Sequence, residues 1–330
     1  MKKIVVTGGA GFIGSNVVAA LANDGQYDVV VCDRFGESDK WRNIRNHQTW
    51  EVISPEFLIT WIQDNQDQLE AVVHLGGISS TTQRDIDLIL RNNLAFSIAL
   101  WKWCNKNEVR FIYSSSSTTY GRGEHGFDDD ASLTYLKQLR PLSGTGWSKN
   151  LFDMHVAATV ERGEVKAPQW CGFKTFNSYG PNEYHKKEQQ SVICQIGPQA
   201  AVGAAVRLFK SYNDEYAHGE QMRDVIYIKD LADVILWAVN NPDVNGLFNL
   251  GTGKARSFND MASAVFAALD KEPNINYTSM PDELKPHYQY FTEAKMDKLR
   301  EAGYTKEFTS LEDGVKDYLQ NYLLKDDPYL

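Results

Sequence analysis

Three glycines, Gly8, Gly11 and Gly14, follow the β-branched run Ile4-Val5-Val6, and an apolar helical pattern starts at Phe12 and runs to about Leu21. Strand, tight turn and helix in that order make a phosphate cradle. Glycine turns the backbone with positive φ and lets a pyrophosphate approach the amides at a helix N-terminus. A second apolar strand, Asp28–Cys32, ends in Asp33, nineteen residues after Gly14, where a carboxylate meets the adenosine ribose of a bound dinucleotide. Arg34 follows at once, with Lys40 and Arg42 close behind. Cations there can hold a 2′-phosphate, which favours NADP, with NAD the other possibility; solvated loop charges are the plain alternative. A serine run, 114–117, follows another apolar strand and offers hydroxyls at a sheet edge, unless it is a mere helix cap or solvated turn.

The elements that must position these groups can be read from periodicity. Strand-like runs fall at 71–75, 109–113 and 170–176, and helical patterns at 55–65, 85–105 and 147–160, the last with Lys149 near its start. Strands alternating with helical segments mean βαβ units and a parallel sheet. Ligand sites in such sheets lie at the carboxyl ends of the strands, so 8–14, Asp33, 76–79 and 114–117 are expected to converge on one crevice. The stretch 123–140 is polar and carries Asp128-Asp129-Asp130, read as a solvated surface excursion. Beyond 177–181 the alternation breaks down. A helical run at 191–202, short strands at 224–228 and Gly246–Leu250, a helix over 258–269 capped by Ser257 and a closing helix at 311–323 are expected. The fold class is α/β: a Rossmann-type doubly wound parallel sheet with a smaller α/β substrate-binding domain. The expected division is 1–176 for NADP, with segments at about 224–250 returning to it, and 177–330 mainly for substrate.

At 330 residues the chain can bury a large core, and 42% hydrophobic with 12% aromatic content fits a globular protein. The net charge of −9 argues against a nucleic-acid partner. No apolar run approaches the ~20 residues that span a bilayer. Met1-Lys2-Lys3 passes straight into the first strand without room for a signal peptide, so a cytoplasmic location is expected, with no membrane partner. Cys32, Cys104, Cys171 and Cys194 are far apart, without metal-ligand spacing; they are read as reduced core residues, and no metal is expected.

The chain resembles the extended short-chain dehydrogenase/reductases and, within them, is most similar to the ADP-L-glycero-D-manno-heptose 6-epimerases. The motifs run nearly the full length: residues 6–16, Ser79-Ser80-Thr81-Thr82, Gly146-Trp147-Ser148-Lys149, Tyr179-Gly180-Pro181-Asn182-Glu183-Tyr184-His185-Lys186, residues 248–253 and Tyr288-Gln289-Tyr290-Phe291-Thr292. The first and fifth are shared widely among sugar-nucleotide enzymes; the second, fourth and last are more specific. The resemblance implies oxidation of a C6″ hydroxyl by hydride transfer to NADP⁺, presentation of the other face of the ketone, and its reduction. It implies cofactor contacts at Phe12, Ile13, Asp33, Arg34, Lys40, Leu75, Gly76, Gly77, Ile78, Ser79, Asn92, Lys149, Ser178 and Lys186. Substrate contacts with an ADP-sugar are implied at Ser116, Asn177, Phe209, Lys210, Ser211, Arg223 and Tyr288, and a homo-oligomer, a pentamer, at the level of assembly. Lys186 is implied as a catalytic base, Ser116 as the hydroxyl that polarises the reacting oxygen, and Lys149 as the cation that places the nicotinamide ribose and lowers the pKa of a neighbouring phenol.

That phenol is missing. The family's tyrosine stands four residues before its lysine, and four before Lys149 is Thr145, whose alcohol is too weak an acid to replace it. Glu188 stands where a small polar residue is usual, and Gln195 where a histidine helps to hold the substrate phosphates. Tyr120 and Tyr184 are the candidates for a substitute phenol, and both read better as packing residues. The leading expectation is an NADP-dependent epimerase of reduced activity. The alternatives are a cofactor- and nucleotide-binding protein without turnover, and an epimerase or reductase acting on a different sugar nucleotide. A 4,6-dehydratase would need an acid where Ser117 and Thr118 stand.

Overall fold

The computed structural model describes residues 1–282, 284–285 and 288–330. In chain order its first six strands are β1 (Lys3–Thr7), β2 (Asp28–Cys32), β3 (Glu51–Ile53), β4 (Leu69–His74), β5 (Arg110–Ser116) and β6 (Trp170–Thr175). They continue with β7 (Asn177–Tyr179), β8 (Val206–Phe209), β9 (Met222–Tyr227), β10 (Gly246–Leu250), β11 (Ala255–Ser257) and β12 (Ile275–Thr278). Seven strands form one parallel sheet in the order β10-β6-β5-β4-β1-β2-β3, a doubly wound Rossmann-type arrangement whose order reverses beside β1.

A parallel sheet is covered on both faces, so its central strands carry continuous apolar runs, Ile4-Val5-Val6 in β1 and Ala71-Val72-Val73 in β4, rather than an alternating pattern. Ile4 and Val6 of β1 enter one core with Val17, Val18 and Leu21 of the helix Phe12–Asp24 and with Leu231, Val234 and Ile235 of the helix Ile228–Asn240. Val5 enters the opposite core with Leu58, Leu100, Trp101 and Phe152. Each such buried side chain contributes ~1.5–3 kcal/mol. Helices against both faces leave only the strand ends open to a ligand.

The other strands form two small sheets. β7 pairs parallel with β9, and β9 pairs antiparallel with β11; β8 pairs parallel with β12. β10 returns to the large sheet beside β6, whereas β9 does not.

Three local readings change. Residues 177–179, expected only to end the preceding strand, form a short strand of their own, because their backbone pairs with 225–227. The helical run at 85–105 is three pieces: Ile86–Ile89, a wide π turn over Leu90–Ala95, and Phe96–Lys106. The expectation that all three aspartates of 128–130 are solvated fails for Asp129, which is buried and accepts the Asn249 backbone N–H at 2.9 Å. All four cysteines are buried and free, and burial pushes Cys32 up to about 12.

Candidate functional site

Two cavities meet above the carboxyl ends of the parallel strands, one of about 830 Å³ and one of about 1210 Å³, and Ser79, Ser178 and Lys186 belong to the walls of both.

The smaller cavity is built on the glycine turn. Gly8 has φ 67, and a Cβ there would lie 2.7 Å from the Cα of Gly76. A Cβ on Gly14 would lie 2.0 Å from the Gly8 carbonyl oxygen. Only glycine lets the turns after β1 and β4 touch in this way. The Gly76 N–H donates to the Thr7 hydroxyl at 3.1 Å, which ties the two turns together. The first helix then begins at Phe12 with its N-terminus toward the cavity, a place that favours an anion. The wall holds Gly8, Gly11, Phe12, Ile13, Gly14, Asp33, Arg34, Lys40, Leu75, Gly76, Gly77, Ile78, Ser79, Asn92, Ser178 and Lys186, which is the expected cofactor set apart from Lys149.

At the end of β2 the Asp33 carboxylate accepts the backbone N–H groups of Ala10 at 2.9 Å and Arg34 at 2.7 Å, and the Lys40 ammonium at 2.7 Å. The Arg34 guanidinium donates to Glu56 at 2.6 Å and to the Asn92 amide oxygen at 2.8 Å. Asn93, buried on the π turn, clamps the loop after β4: its amide oxygen accepts the Ile78 N–H at 2.7 Å and its amide nitrogen donates back to Ile78 O at 2.9 Å. The π turn adds the residue that turns Asn93 into this loop while Asn92 faces Arg34. Sequence reasoning missed Glu56 and Asn93, neither of which lies in a motif.

His185, also on this wall, accepts at Nδ1 from the Asn43 amide nitrogen at 3.2 Å. Burial, then the charges of Lys40 and Lys186, push it down to about 4, so the ring is neutral near pH 7. Next to it, the Lys186 ammonium lies over the Phe12 ring, 4.9 Å from its centre. Burial lowers the Lys186 pKa, with Glu183 acting in the opposite sense. Glu183, fully buried, accepts the Ser191 hydroxyl at 2.8 Å and the Gly180 N–H at 3.2 Å, which pins the turn that carries Lys186.

The larger cavity is lined by Ser116, Asn177, Glu188, Arg223 and Tyr288 from the expected substrate set. Ser116 Oγ accepts from the Thr118 N–H at 3.2 Å and the Thr118 hydroxyl at 2.9 Å, leaving its own proton to donate. The buried Arg223 guanidinium lies on this wall between the rings of Tyr288 (5.0 Å) and Phe258 (5.8 Å) and donates to the backbone carbonyls of Met222 and Gln289. Gln195, Phe209, Lys210 and Ser211 are on neither wall. Gln195 is exposed and donates to Gln190 O at 2.8 Å, and Phe209 closes β8 with its ring exposed.

Lys149 and Thr145 lie just behind the walls, on the helix Gly144–Glu161. The Lys149 ammonium donates to Ser114 O at 2.7 Å and comes within 3.8 Å of a Cβ built on Gly77. Burial pushes Lys149 down to about 8 against the opposing charge of Asp153. Thr145 is buried, its hydroxyl 3.1 Å from that of Ser143. The Tyr120 hydroxyl lies 2.6 Å from Asn249 Oδ1, and Tyr184 donates to Pro328 O at 2.8 Å. Burial raises the pKa of both, so neither is tuned as a base. Deeper still, Asp153 accepts the Ser115 hydroxyl at 2.6 Å and the Lys174 ammonium at 2.7 Å, both charges fully buried.

Among the described residues no cluster of His, Cys, Asp or Glu could hold a metal ion, and no helix is long and apolar enough to cross a membrane.

Residues 4–251 match the model of the NAD dependent epimerase/dehydratase family. The chain is 44% identical to the ADP-L-glycero-D-manno-heptose-6-epimerase of Fusobacterium nucleatum, covering 99% of this chain and 100% of that protein. It is 46% identical to the protein of the same description from Nitratidesulfovibrio vulgaris, covering 99% of each. Among solved structures, Helicobacter pylori ADP-L-glycero-D-manno-heptose-6-epimerase superposes with a TM-score of 0.79 at 26% identity, over 97% of this chain and 96% of that one.

Proposed function

The chain belongs to the NAD dependent epimerase/dehydratase family, and from that membership we propose that it is a sugar-nucleotide epimerase. Its substrate is ADP-D-glycero-D-manno-heptose, its product the L-glycero epimer, and its preferred cofactor NADP rather than NAD. The descriptions of its relatives support the substrate. The observation that carries the reading is Lys186, which stands on the walls of both cavities and so can serve a cofactor in one and a sugar in the other.

The residues fit a dinucleotide: the Gly8–Gly76 backbone contact, too close for any Cβ, holds the turn that aims the first helix N-terminus into the cavity, and Asp33 stands on the same wall. A nicotinamide bound there supplies the acceptor and donor of the hydride. Ser116 directs its free O–H to the C6″ oxygen, and Lys186 accepts the hydroxyl proton as the C6″ hydrogen leaves as hydride, giving a ketone. The ketone presents its other face and takes the hydride back, and the Lys186 ammonium returns the proton to its oxygen, so no net proton is gained or lost. Arg223 holds the nucleotide phosphates and Lys149 holds the nicotinamide ribose. Thr145, an alcohol with a pKa far above a phenol's, gives little acid/base help on the second face, so turnover is reduced.

Residues 1–176 with the returning strand β10 serve the cofactor in this scheme, and the rest serve mainly the sugar nucleotide. A cytoplasmic homo-oligomer, a pentamer, completes the proposal, and sedimentation equilibrium giving a monomer would refute that part. Thr145 supports a second reading, a nucleotide-binding protein without turnover. One experiment separates them: incubate the protein with ADP-D-glycero-D-manno-heptose, follow C6″ by NMR, and assay the nicotinamide cofactor released on denaturation. Bound cofactor without conversion would sink the epimerase reading.

A further inference from the structure

The ribose end of the smaller cavity carries two cations that are already occupied. Lys40 is paired with Asp33 at 2.7 Å, and Arg34 with Glu56 at 2.6 Å. Asn92 takes a further N–H of Arg34, so the guanidinium is held from two sides. Arg91 adds a third cation to the wall and makes no ion pair among those described. Glu56 is itself fixed: its carboxylate accepts the Ser54 hydroxyl at 2.5 Å. That bond, its own backbone N–H and Arg34 hold it well below the usual carboxylate range, at about 2, so it is anionic at every working pH.

We propose that Glu56 is a specificity-determining residue of this cavity: it competes with a 2′-phosphate for Arg34 and so limits the preference for NADP over NAD. The inference rests on the nicotinamide cofactor assigned above. A 2′-phosphate carries close to two negative charges. To reach Arg34 it must displace the Glu56 carboxylate, and it then lies among two carboxylates rather than one. A free 2′-hydroxyl needs no such exchange, since Asp33 can accept its proton while Arg34 and Glu56 remain paired. The Arg34–Glu56 pair is half-exposed, so its own strength is small and the exchange is accessible. Glu56 is the first acidic side chain after β3, and the pairing exists only because β3 lies beside β2 and brings 56 against 34.

The test is direct titration of the full-length protein with NADPH and NADH, read by nicotinamide fluorescence, for the parent, Glu56→Gln and Glu56→Ala. Thermal melting of each variant verifies that it is folded. Both variants should tighten NADPH about tenfold, the effect of removing one like charge from a screened site, and change NADH less than about twofold. In an Arg34→Ala background the same substitution should tighten NADPH less than about threefold, since no guanidinium remains to be released. Unchanged NADPH affinity, or parallel changes for both cofactors, overturns this inference alone. A parent that binds neither cofactor overturns the inference together with the function on which it rests.

Discussion

The Lys186 ammonium sits 4.9 Å above the ring of Phe12, the first residue of the helix that opens the glycine turn. The contact places a half-buried cation with a lowered pKa between the two cavities. Lys186→Ala should lower epimerisation by ~10²–10⁴-fold, the usual worth of general acid/base help, and change NADPH affinity much less. Lys149→Ala should do the reverse. Because burial depresses Lys186 from 10.5, the free amine forms at lower pH, and turnover of the parent should rise with pH through a midpoint below 10.5. Parental turnover in the Lys186→Ala variant refutes the assignment.

Thr145 lies one helical turn before Lys149, in the place from which a phenol would be activated. Thr145→Tyr should raise turnover by ~10²–10⁴-fold on the same ADP-heptose, with nucleotide affinity nearly unchanged, because Arg223 and its neighbours are untouched. The ring must fit beside Ser143 and Gly144, so the melting temperature is measured in parallel. A parent as fast as the Thr145→Tyr variant would mean that another group already does the work.

Arg34 is the cation that a 2′-phosphate would meet first. Arg34→Ala should weaken NADPH by roughly 1–3 kcal/mol, the scale of a charge-assisted hydrogen bond, and leave NADH nearly unaffected. Equal losses in the two titrations would remove Arg34 from cofactor selection.

Lys174 and Asp153 form a fully buried ion pair beneath the serine strand. Lys174→Met leaves a buried carboxylate without its cation and should cost ~3–5 kcal/mol in urea unfolding. The double replacement Lys174→Met/Asp153→Leu should cost clearly less. A double variant as unstable as the single one would show that packing, not charge, dominates there.

His74 lies between the Thr7 and Ser97 hydroxyls, at 2.7 and 2.8 Å, and is completely buried. Burial, with Lys149 adding to it, pushes the ring from 6.5 to about 3, so the folded protein keeps it neutral. The unfolded chain binds a proton below 6.5 that the folded one refuses until about 3. Its contribution to stability is therefore present above 6.5 and is lost as pH falls through that window, at ~1.4 kcal/mol per pH unit. Urea unfolding at pH 7 and pH 5 should show a smaller loss in His74→Gln than in the parent, and identical losses would contradict it.

The glycine turn, the parallel strands and most of the cofactor wall were legible in the residues themselves, because they depend on local properties. Val5, Val30 and Val72 pack into buried strands by their own periodicity, and Gly8 needs a positive φ wherever its chain goes. What only the tertiary structure decided are pairings of residues far apart in the chain. Arg34 meets Glu56 because β3 adds beside β2; Asn93 reaches Ile78 through a π turn that periodicity cannot reveal; Asp129 is buried by Asn249 on a strand that returns late. Phe209, Lys210 and Ser211 lie off both walls, and β8 pairs with β12, a partnership that neither segment announces. Backbone geometry and hydrophobic spacing act over a few residues, whereas charge pairing and cavity shape are set by which strand ends up next to which.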